Sequence, residues 1–248
     1  MHPRFHAPQI APDNPLVELP PDEADHLVRV LRLRAGDRVR VFDGHGHEFL
    51  ARIESTGRGA TRVRLLEPLR AAREPSVRIT LAMAVLKGEK VDLVVRDATM
   101  LGIARLQPIV SARAEVSASA VRRSHRVDRW RRIALSSAKQ CGRAFVPPVE
   151  PPLSLEAFIE ADTAELKLIL TEPAEVAASE ESLASLESRP APATASLLIG
   201  PEGGWTGDEI ARASQRGFFP LTLGTLTLRA DAAPLVALSV LLFAWGEL

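Results

Sequence analysis

From residue 77 onward, short apolar segments alternate with amphipathic ones, and this alternation restricts the fold more than any other feature of the sequence. A chain in which strands and helices take turns is typical of an α/β domain with a mainly parallel sheet. The predicted elements are, in chain order, the strand Val77–Ala84, the helix Lys90–Leu101, the strand Leu106–Val110, the helix Asp128–Gln140, the strands Lys167–Leu170 and Ser196–Ile199, the helix Thr206–Gln215, a strand that ends at Thr222–Leu223, and a last helix within Pro234–Trp245.

The first 70 residues follow a different pattern, with short strands and one short helix that begins at Pro21. Arg38–Phe42 and Glu48–Ile53 alternate polar and apolar residues on either side of a glycine-containing turn, which predicts a hairpin. A further strand is expected at Arg62–Leu66, and short strands at short spacing favour a small β-barrel. A charged, proline-containing linker, residues 70–75, follows. The two predicted domains are residues 1–73 and 76–248.

The composition excludes several classes of protein. The single cysteine, Cys141, rules out an internal disulfide framework and fits a reducing cytoplasm. The first residues lack the apolar core of a signal peptide, and the longest apolar run, Pro234–Trp245, is shorter than the roughly 20 residues that span a bilayer. We therefore expect a cytoplasmic protein without a membrane partner.

The net charge is zero, but the charges are unevenly distributed along the chain. Residues 76–150 carry 14 basic and six acidic residues, whereas residues 151–248 carry five and 14. Such a cationic block points to a polyanionic partner, although the two blocks could also face each other within a dimer or between lobes. An arginine cluster around Trp130 suits phosphate contact and base stacking better than a solvated helix face does. The cluster is Arg122, Arg123, Arg126, Arg129, Arg131 and Arg132.

Three predicted strands end in loops of unusual composition, namely Leu168–Pro173, Leu198–Gly204 and Leu221–Arg229. In open α/β sheets, ligands bind outside the carboxyl ends of the strands. Glycines in such loops let main-chain groups approach a flat ligand such as a purine. The GPEGG loop by itself is equally compatible with a tight turn before a helix that Thr206 and Glu209 cap.

Other candidate sites are weaker. The sequence contains neither a Rossmann glycine fingerprint nor a phosphate-binding P-loop. His45 and His47 lie in a predicted hairpin turn without a third metal ligand nearby, so no metal site is expected. Cys141 has no neighbouring histidine that would activate it as a nucleophile, and we assign it to packing.

The run LLIGPEGGWTGDEI, followed by LGTLTLR, resembles the SPOUT superfamily of S-adenosylmethionine-dependent RNA methyltransferases. More narrowly, KGEKVDLVVRDATMLGI, QCGRAFVPPV and LTEPA follow the order and spacing of the RsmE family. That family methylates N3 of a specific uridine near the 3′ end of 16S rRNA. The segment DHLVRVLRLRAGDRVRVFDGHGHEF resembles its N-terminal PUA-like RNA-binding barrel. The resemblance implies a C-terminal trefoil knot, a homodimer and the small ribosomal subunit as partner.

The resemblance also implies roles for individual residues. The cofactor cradle would be formed by Leu170, Thr171, Glu172, Pro173, Ile199, Gly200, Pro201, Glu202, Gly203, Gly204, Leu223, Gly224, Leu228 and Arg229. Arg143, in its own or a partner subunit, and Arg229 would stabilise the charge on deprotonated uracil, and Glu202 or Asp231 would accept the proton. The rRNA would contact His26, Arg29, Arg32, Arg34, Lys87 and Lys90, together with Arg122, Arg123 and Arg126 of the arginine cluster.

The sequence departs from the family pattern at five positions. Leu226 stands where the family usually has arginine, Thr227 replaces a branched aliphatic residue, and Asp231 replaces a glutamate. Met100 and Asp97 stand where glutamate and lysine are usual. Two alternatives to uridine N3 methylation stay open on the sequence: a SPOUT enzyme that acts on ribose 2′-OH or tRNA guanine, and a non-catalytic rRNA-binding assembly factor.

Overall fold

The structure, a computed structural model, describes residues 2–11, 14–57, 60–114, 116–173 and 190–248, without the side chains of Ala118 and Arg122. The chain forms two compact units. The first unit is Met1–Glu74 with Leu135–Val146, and the second is Pro75–Ala134 with Pro147–Leu248. The sequence did not indicate that residues 135–146 belong with the N-terminal part of the chain.

The first unit is built on a five-stranded sheet whose strands run in the order β1-β3-β4-β5-β2. The predicted hairpin is present as the antiparallel pair β3–β4, and a short helix lies before it, as expected. The elements are β1 (Arg4–His6), β2 (Leu16–Glu18), α1 (Pro21–Asp25), one π-helical turn (His26–Val30), β3 (Arg38–Phe42), β4 (Glu48–Ser55) and β5 (Arg62–Leu69).

The core of the first unit comes from the inward-facing residues of these strands. Val39 and Val41 alternate with arginines along β3, so the period-two pattern places both valines on the buried face with Phe5 and Leu27. Residues 135–146 are attached by polar contacts, because Arg4 donates hydrogen bonds to three main-chain carbonyls of this segment at 2.9–3.1 Å.

The second unit contains a six-stranded sheet in the order β11-β9-β10-β6-β7-β8, and all five strand pairings are parallel. The alternation in the sequence predicted this arrangement correctly. The elements are β6 (Arg78–Ala84), α2 (Lys90–Met100), β7 (Arg105–Val110), α3 (Ala118–Arg123), α4 (Arg126–Cys141), β8 (Leu153–Ser154), α5 (Leu155–Ala161), β9 (Leu166–Leu170), β10 (Thr194–Ile199), α6 (Gly207–Gln215), β11 (Phe219–Leu221) and α7 (Ala233–Ala244). Of α4, residues 135–141 belong to the first unit.

The prediction of a strand that ends at Thr222–Leu223 is wrong by two residues. β11 ends at Leu221, where its last pairing, with Leu170 of β9, is made. The residues that follow leave the sheet and form a loop. The sequence analysis also missed five short elements, which carry too few residues for a periodic pattern to appear. They are β1, β2, α3, β8 and α5.

Helix α7 is apolar on all sides: its Leu238 and Leu241 are fully buried, whereas its Val236 and Phe243 are exposed. Among the described residues, no helix combines the length and the hydropathy that crossing a membrane requires.

Candidate functional site

A cavity of about 420 Å³ opens at the carboxyl ends of β9, β10 and β11. These strands are neighbours in the sheet, so the loops that follow them meet at one edge, as the sequence analysis predicted. The cavity is lined by Lys90, Leu170, Thr171, Glu172, Pro173, Ile199, Gly200, Pro201, Glu202, Gly204, Trp205, Leu223, Leu226, Thr227, Leu228, Arg229, Ala230, Asp231 and Ala233.

Trp205 contacts two of these loops. Its side chain is only 1% exposed, and its indole N–H donates a hydrogen bond of 3.0 Å to the carbonyl of Leu170. The same ring lies against Gly200, where an added Cβ would come within 3.1–3.4 Å of three ring atoms. A side chain at residue 200 would therefore press on the buried indole, which favours glycine at this position. The sequence analysis missed this role, although an aromatic residue directly after a glycine loop is a visible signal.

The predicted capping box at the start of α6 is confirmed. Thr206 accepts a hydrogen bond from the Glu209 N–H, and the Glu209 carboxylate accepts one from the Thr206 N–H. The same carboxylate, buried in the unit, also accepts a hydrogen bond of 2.8 Å from the Ala112 N–H. Glu209 thus joins the loop after β7 to the end of the glycine loop, a second role that the sequence analysis missed.

Two ion pairs lie in the cavity wall. Arg229 donates two hydrogen bonds to the Asp231 carboxylate, at 2.9 and 3.0 Å. Lys90 Nζ lies 2.7 Å from Glu202 Oε1. Each pair sets one cation beside one carboxylate, so the wall offers both signs of charge to a ligand.

Both carboxyl groups have lowered pKa values. The hydrogen bonds from Arg229 lower the pKa of Asp231, and only a weaker effect of burial opposes them. Burial raises the pKa of Glu202, but the hydrogen bond from Lys90 and main-chain donors outweigh it, so the net direction is also downward. Both groups are ionised at neutral pH because their pKa values lie below the ordinary carboxyl range.

The sequence profile of the RNA methyltransferase domain matches residues 73–242, and that of the RNA methyltransferase PUA domain matches residues 19–66. A ribosomal RNA small subunit methyltransferase E from Synechocystis is 35% identical over 90% of this chain and 71% of that relative's length. The chain belongs to the RsmE family of RNA methyltransferases. The relative of the same name from Rickettsia conorii is 30% identical over 92% of this chain and 89% of its own.

Solved structures show the same RsmE architecture. A putative methyltransferase from Legionella pneumophila, in complex with its cofactor S-adenosylmethionine, matches with a TM-score of 0.87 at 33% identity and 98% coverage of both chains. A ribosomal RNA small subunit methyltransferase E from Neisseria gonorrhoeae, also bound to S-adenosylmethionine, matches with a TM-score of 0.85 at 30% identity. That match covers 99% of this chain and 98% of the other.

Most residues that the RsmE resemblance assigned to the cofactor cradle line the cavity. The two exceptions are Gly203 and Gly224, which are absent from its lining. A Cβ on Gly203 would meet the side chain of Arg113 at 3.5–3.6 Å, and Arg113 donates a hydrogen bond of 2.7 Å to the Gly203 carbonyl. Gly203 therefore faces the loop after β7. Like Trp205 and Glu209, Arg113 contacts the glycine loop and was not predicted from the sequence.

The candidate catalytic residues of this RsmE chain are not all brought together. Arg229, Glu202 and Asp231 line the cavity, whereas Arg143 belongs to the first unit. Arg143 is only 6% exposed, and its Nε donates to both Glu74 carboxylate oxygens at 3.0 and 3.1 Å. In its own chain, the buried Arg143 therefore pairs with the half-buried Glu74 within the first unit.

The predicted RNA-contacting residues lie in both units. His26, Arg29, Arg32 and Arg34 are exposed on the first unit. Lys87 and Arg123 are exposed on the second unit and Arg126 is half-buried there, whereas Lys90 lines the cavity. The side chain of Arg122 lies outside the described part of the chain.

The prediction that Trp130 stacks on bases is wrong. Its ring is 2% exposed and its indole N–H donates a hydrogen bond of 3.0 Å to Asp92, because this side of α4 packs against α2. Neighbouring Arg129 pairs with Asp92 and with Glu89. This part of the arginine cluster therefore holds two helices together.

Within the described ranges, no group of three or more histidine, cysteine or acidic residues is placed to hold a metal ion. His47 Nδ1 lies 2.7 Å from Asp43 Oδ2 inside the predicted hairpin turn, where both residues order the turn.

Proposed function

We propose that this chain transfers a methyl group from S-adenosylmethionine to N3 of one uridine near the 3′ end of 16S rRNA. The observation that carries the proposal is the cavity formed by three strand-end loops within a domain of the RsmE family. The names of the Synechocystis and Rickettsia relatives support the small ribosomal subunit as the source of the substrate. The cytoplasm is the compartment in which such a substrate is met.

The cavity fits S-adenosylmethionine in size and in chemistry. Its volume of about 420 Å³ lies within the roughly 300–1,000 Å³ of small-molecule sites. Gly200 and Gly204 leave main-chain groups accessible to the edge of a purine, and Leu223 and Leu228 supply apolar surface for its faces. The complexes of the Legionella and Neisseria relatives with this cofactor support the assignment. When bound, the cofactor supplies a methyl group on a sulfonium, which is already a reactive electrophile.

The residues of the chain then act on the uracil. Uracil N3 must lose its proton, and the anion spreads negative charge onto O2 and O4. Arg229, which is one of the residues that line the cavity, is the candidate that stabilises this charge. Asp231 and Glu202 are the candidate proton acceptors, and both are ionised at neutral pH, as an acceptor must be. N3 lies on the Watson–Crick edge, so the loops receive a base that is unpaired or flipped out.

Exposed basic residues on each of the two units are the proposed rRNA contacts. His26, Arg29 and Arg34 of the first unit lie in the region that matches the PUA domain, and Arg123 lies in the second unit. Phosphate contacts of this kind give affinity that falls steeply with salt concentration. Lys90, although predicted to hold rRNA, is better placed to act in the cavity.

The proposal includes a homodimer. Helices α2 and α7 pack against each other and still leave large apolar side chains exposed: Leu93, Met100, Val236 and Phe243, of which Phe243 is 70% exposed. Apolar residues grouped on neighbouring helices favour a protein interface. In the dimer, Arg143 would serve the active site of the partner subunit. The trefoil knot belongs to the same proposal, and a sheet in which β9 lies between β11 and β10 is compatible with it.

One experiment separates the candidate functions. Small subunits assembled from unmodified 16S rRNA are incubated with the chain and isotopically labelled S-adenosylmethionine, and the modified nucleotide is mapped by mass spectrometry. Label on uridine N3 near the 3′ end is the expected result. Label on a ribose 2′-OH would indicate the other enzyme class, and absence of label would favour an assembly factor.

A further inference from the structure

Glu202 occupies an unusual place for a residue of a glycine loop. Its carboxylate lies 2.7 Å from Nζ of Lys90, the first residue of α2, and accepts a hydrogen bond from the main-chain N–H of Lys87. Lys87 lies in the segment that connects β6 to α2, and Lys90 begins α2. Glu202 therefore links the loop after β10 to the loop after β6, and these two strands are neighbours in the sheet.

This arrangement distinguishes Glu202 from Asp231, the other candidate proton acceptor. The Glu202 carboxylate accepts hydrogen bonds from two residues outside its own loop, Lys90 and Lys87. The Asp231 carboxylate accepts its two hydrogen bonds from Arg229 of the same loop. The bonds to Glu202 suit the holding of one loop against another, because a charge-assisted hydrogen bond is stronger than a neutral one.

We infer that Lys90 and Glu202 form a clasp that fixes the glycine loop against the start of α2 and thereby positions this loop for the cofactor. Glu202 is then a positioning residue, and Asp231 is the remaining candidate acceptor in the cavity wall. The inference rests on the proposed function in one respect only, the identity of the cofactor.

A charge swap tests the clasp. The variants Lys90→Glu, Glu202→Lys and the double swap are titrated with S-adenosylhomocysteine by calorimetry, which requires no RNA. Each single variant places two like charges side by side, so we expect its Kd to rise by about tenfold. The double swap restores an attractive pair and is expected to return Kd to within about threefold of the wild-type value. A double swap no better than the single variants overturns the clasp.

A matched pair elsewhere in the second unit serves as the control. Arg212 and Glu156 form an ion pair of 3.2 Å outside the cavity lining, with side chains 56% and 49% exposed against 36% and 38% for Lys90 and Glu202. Arg212→Glu and Glu156→Lys make the same charge changes as the test variants and are expected to leave the S-adenosylhomocysteine Kd unchanged. If they weaken binding equally, the effect is one of overall charge and the clasp is refuted.

The conservative variant Glu202→Gln separates positioning from proton transfer. The clasp predicts that the loss appears mainly in the cofactor KM, and that kcat at saturating cofactor falls by less than about tenfold. A general base would show the opposite, a fall in kcat of at least about 100-fold with unchanged cofactor Kd. Glu202→Gln retains a neutral acceptor, so it also covers the case in which a charge-reversed variant fails to fold. Methylation at a nucleotide other than uridine would refute the proposed function but not the clasp.

Discussion

The residues of the cavity wall and the basic residues of this chain were both predicted to be functional. The structure brings the first set together and separates the second. The loops after β9, β10 and β11 converge on one cavity, with 12 of the 14 predicted cofactor residues in its lining. The predicted cations, in contrast, are divided between two units, and Arg143 already has an acidic partner within its own chain. Main-chain sites at strand ends follow from the sheet itself, whereas the role of a long cationic side chain depends on which acid folds beside it.

The largest expected effect concerns a cation that does lie in the cavity. Arg229→Ala is expected to lower kcat for methyl transfer by about 10²–10³-fold, because one donor to the developing uracil anion is lost. Single-turnover kinetics at saturating cofactor measure the change. Arg216→Ala removes an arginine that pairs with Glu160 outside the cavity lining, and it should leave kcat unchanged. Equal kcat values for both variants would remove Arg229 from the mechanism.

The next effect concerns the glycine loop of the cavity wall. Gly200→Val presses side-chain atoms on the Trp205 ring and displaces the glycine loop, so we expect the S-adenosylhomocysteine Kd to rise by about tenfold. Gly207→Ala is the control, because an added Cβ there meets nothing within 4 Å. Wild-type affinity in Gly200→Val would show that the glycine loop does not shape the cofactor site.

A smaller effect concerns the ion pair of Arg143 with Glu74. Arg143→Ala leaves the Glu74 carboxylate without its partner, and we expect the free energy of unfolding of the first unit to fall by about 1–3 kcal/mol. Chemical denaturation monitored by circular dichroism measures it. If stability is retained while methyl transfer falls by about 10²-fold, the catalytic role of Arg143 outweighs its structural one.

The RNA surface is tested by two exposed arginines from different units. Arg34→Ala and Arg123→Ala are each expected to weaken rRNA binding a few-fold and to reduce the slope of log affinity against log salt by about one. Filter binding over a series of salt concentrations gives both values. A change for Arg34→Ala alone would confine the RNA surface to the first unit.

The smallest effect is a pH dependence within the first unit. Burial lowers the pKa of His6 below its ordinary value of 6.5, although the nearby Glu23 carboxylate opposes the shift. The unfolded chain therefore binds more protons than the folded one as the pH falls through 6.5, and the first unit loses stability in that direction. His6→Gln should flatten this dependence in denaturation curves recorded between pH 7.5 and pH 5.5, a range chosen to bracket about one unit on either side of the ordinary pKa. An unchanged slope would exclude His6 as its source.

The sequence predicted the parts of this protein that depend on local periodicity. Strand and helix periods gave the order of the main elements and the parallel sheet, and Thr206 and Glu209 predicted the cap of α6. The sequence could not predict that residues 135–146 belong to the first unit, because this depends on hydrogen bonds from Arg4 to main-chain carbonyls more than 130 residues away.

Trp130 and Glu202 show the same limit at the level of single side chains. An arginine-rich context suggested an exposed Trp130, but its side chain is buried and donates a hydrogen bond to Asp92 of α2. Glu202 looked like a free acid in a glycine turn until the neighbouring loop brought Lys90 to 2.7 Å.

The amino-acid sequence alone determined the α/β class, the three strand-end loops and the membership in the RsmE family, because each of these depends on residue types at fixed spacing. Only the tertiary structure decided which charged residues face the cavity and which are used for internal pairs. The physical reason is the distance along the chain. Hydrophobic periodicity and the conformational freedom of glycine influence only neighbouring residues, whereas an ion pair forms between any two opposite charges that the fold brings within about 4 Å.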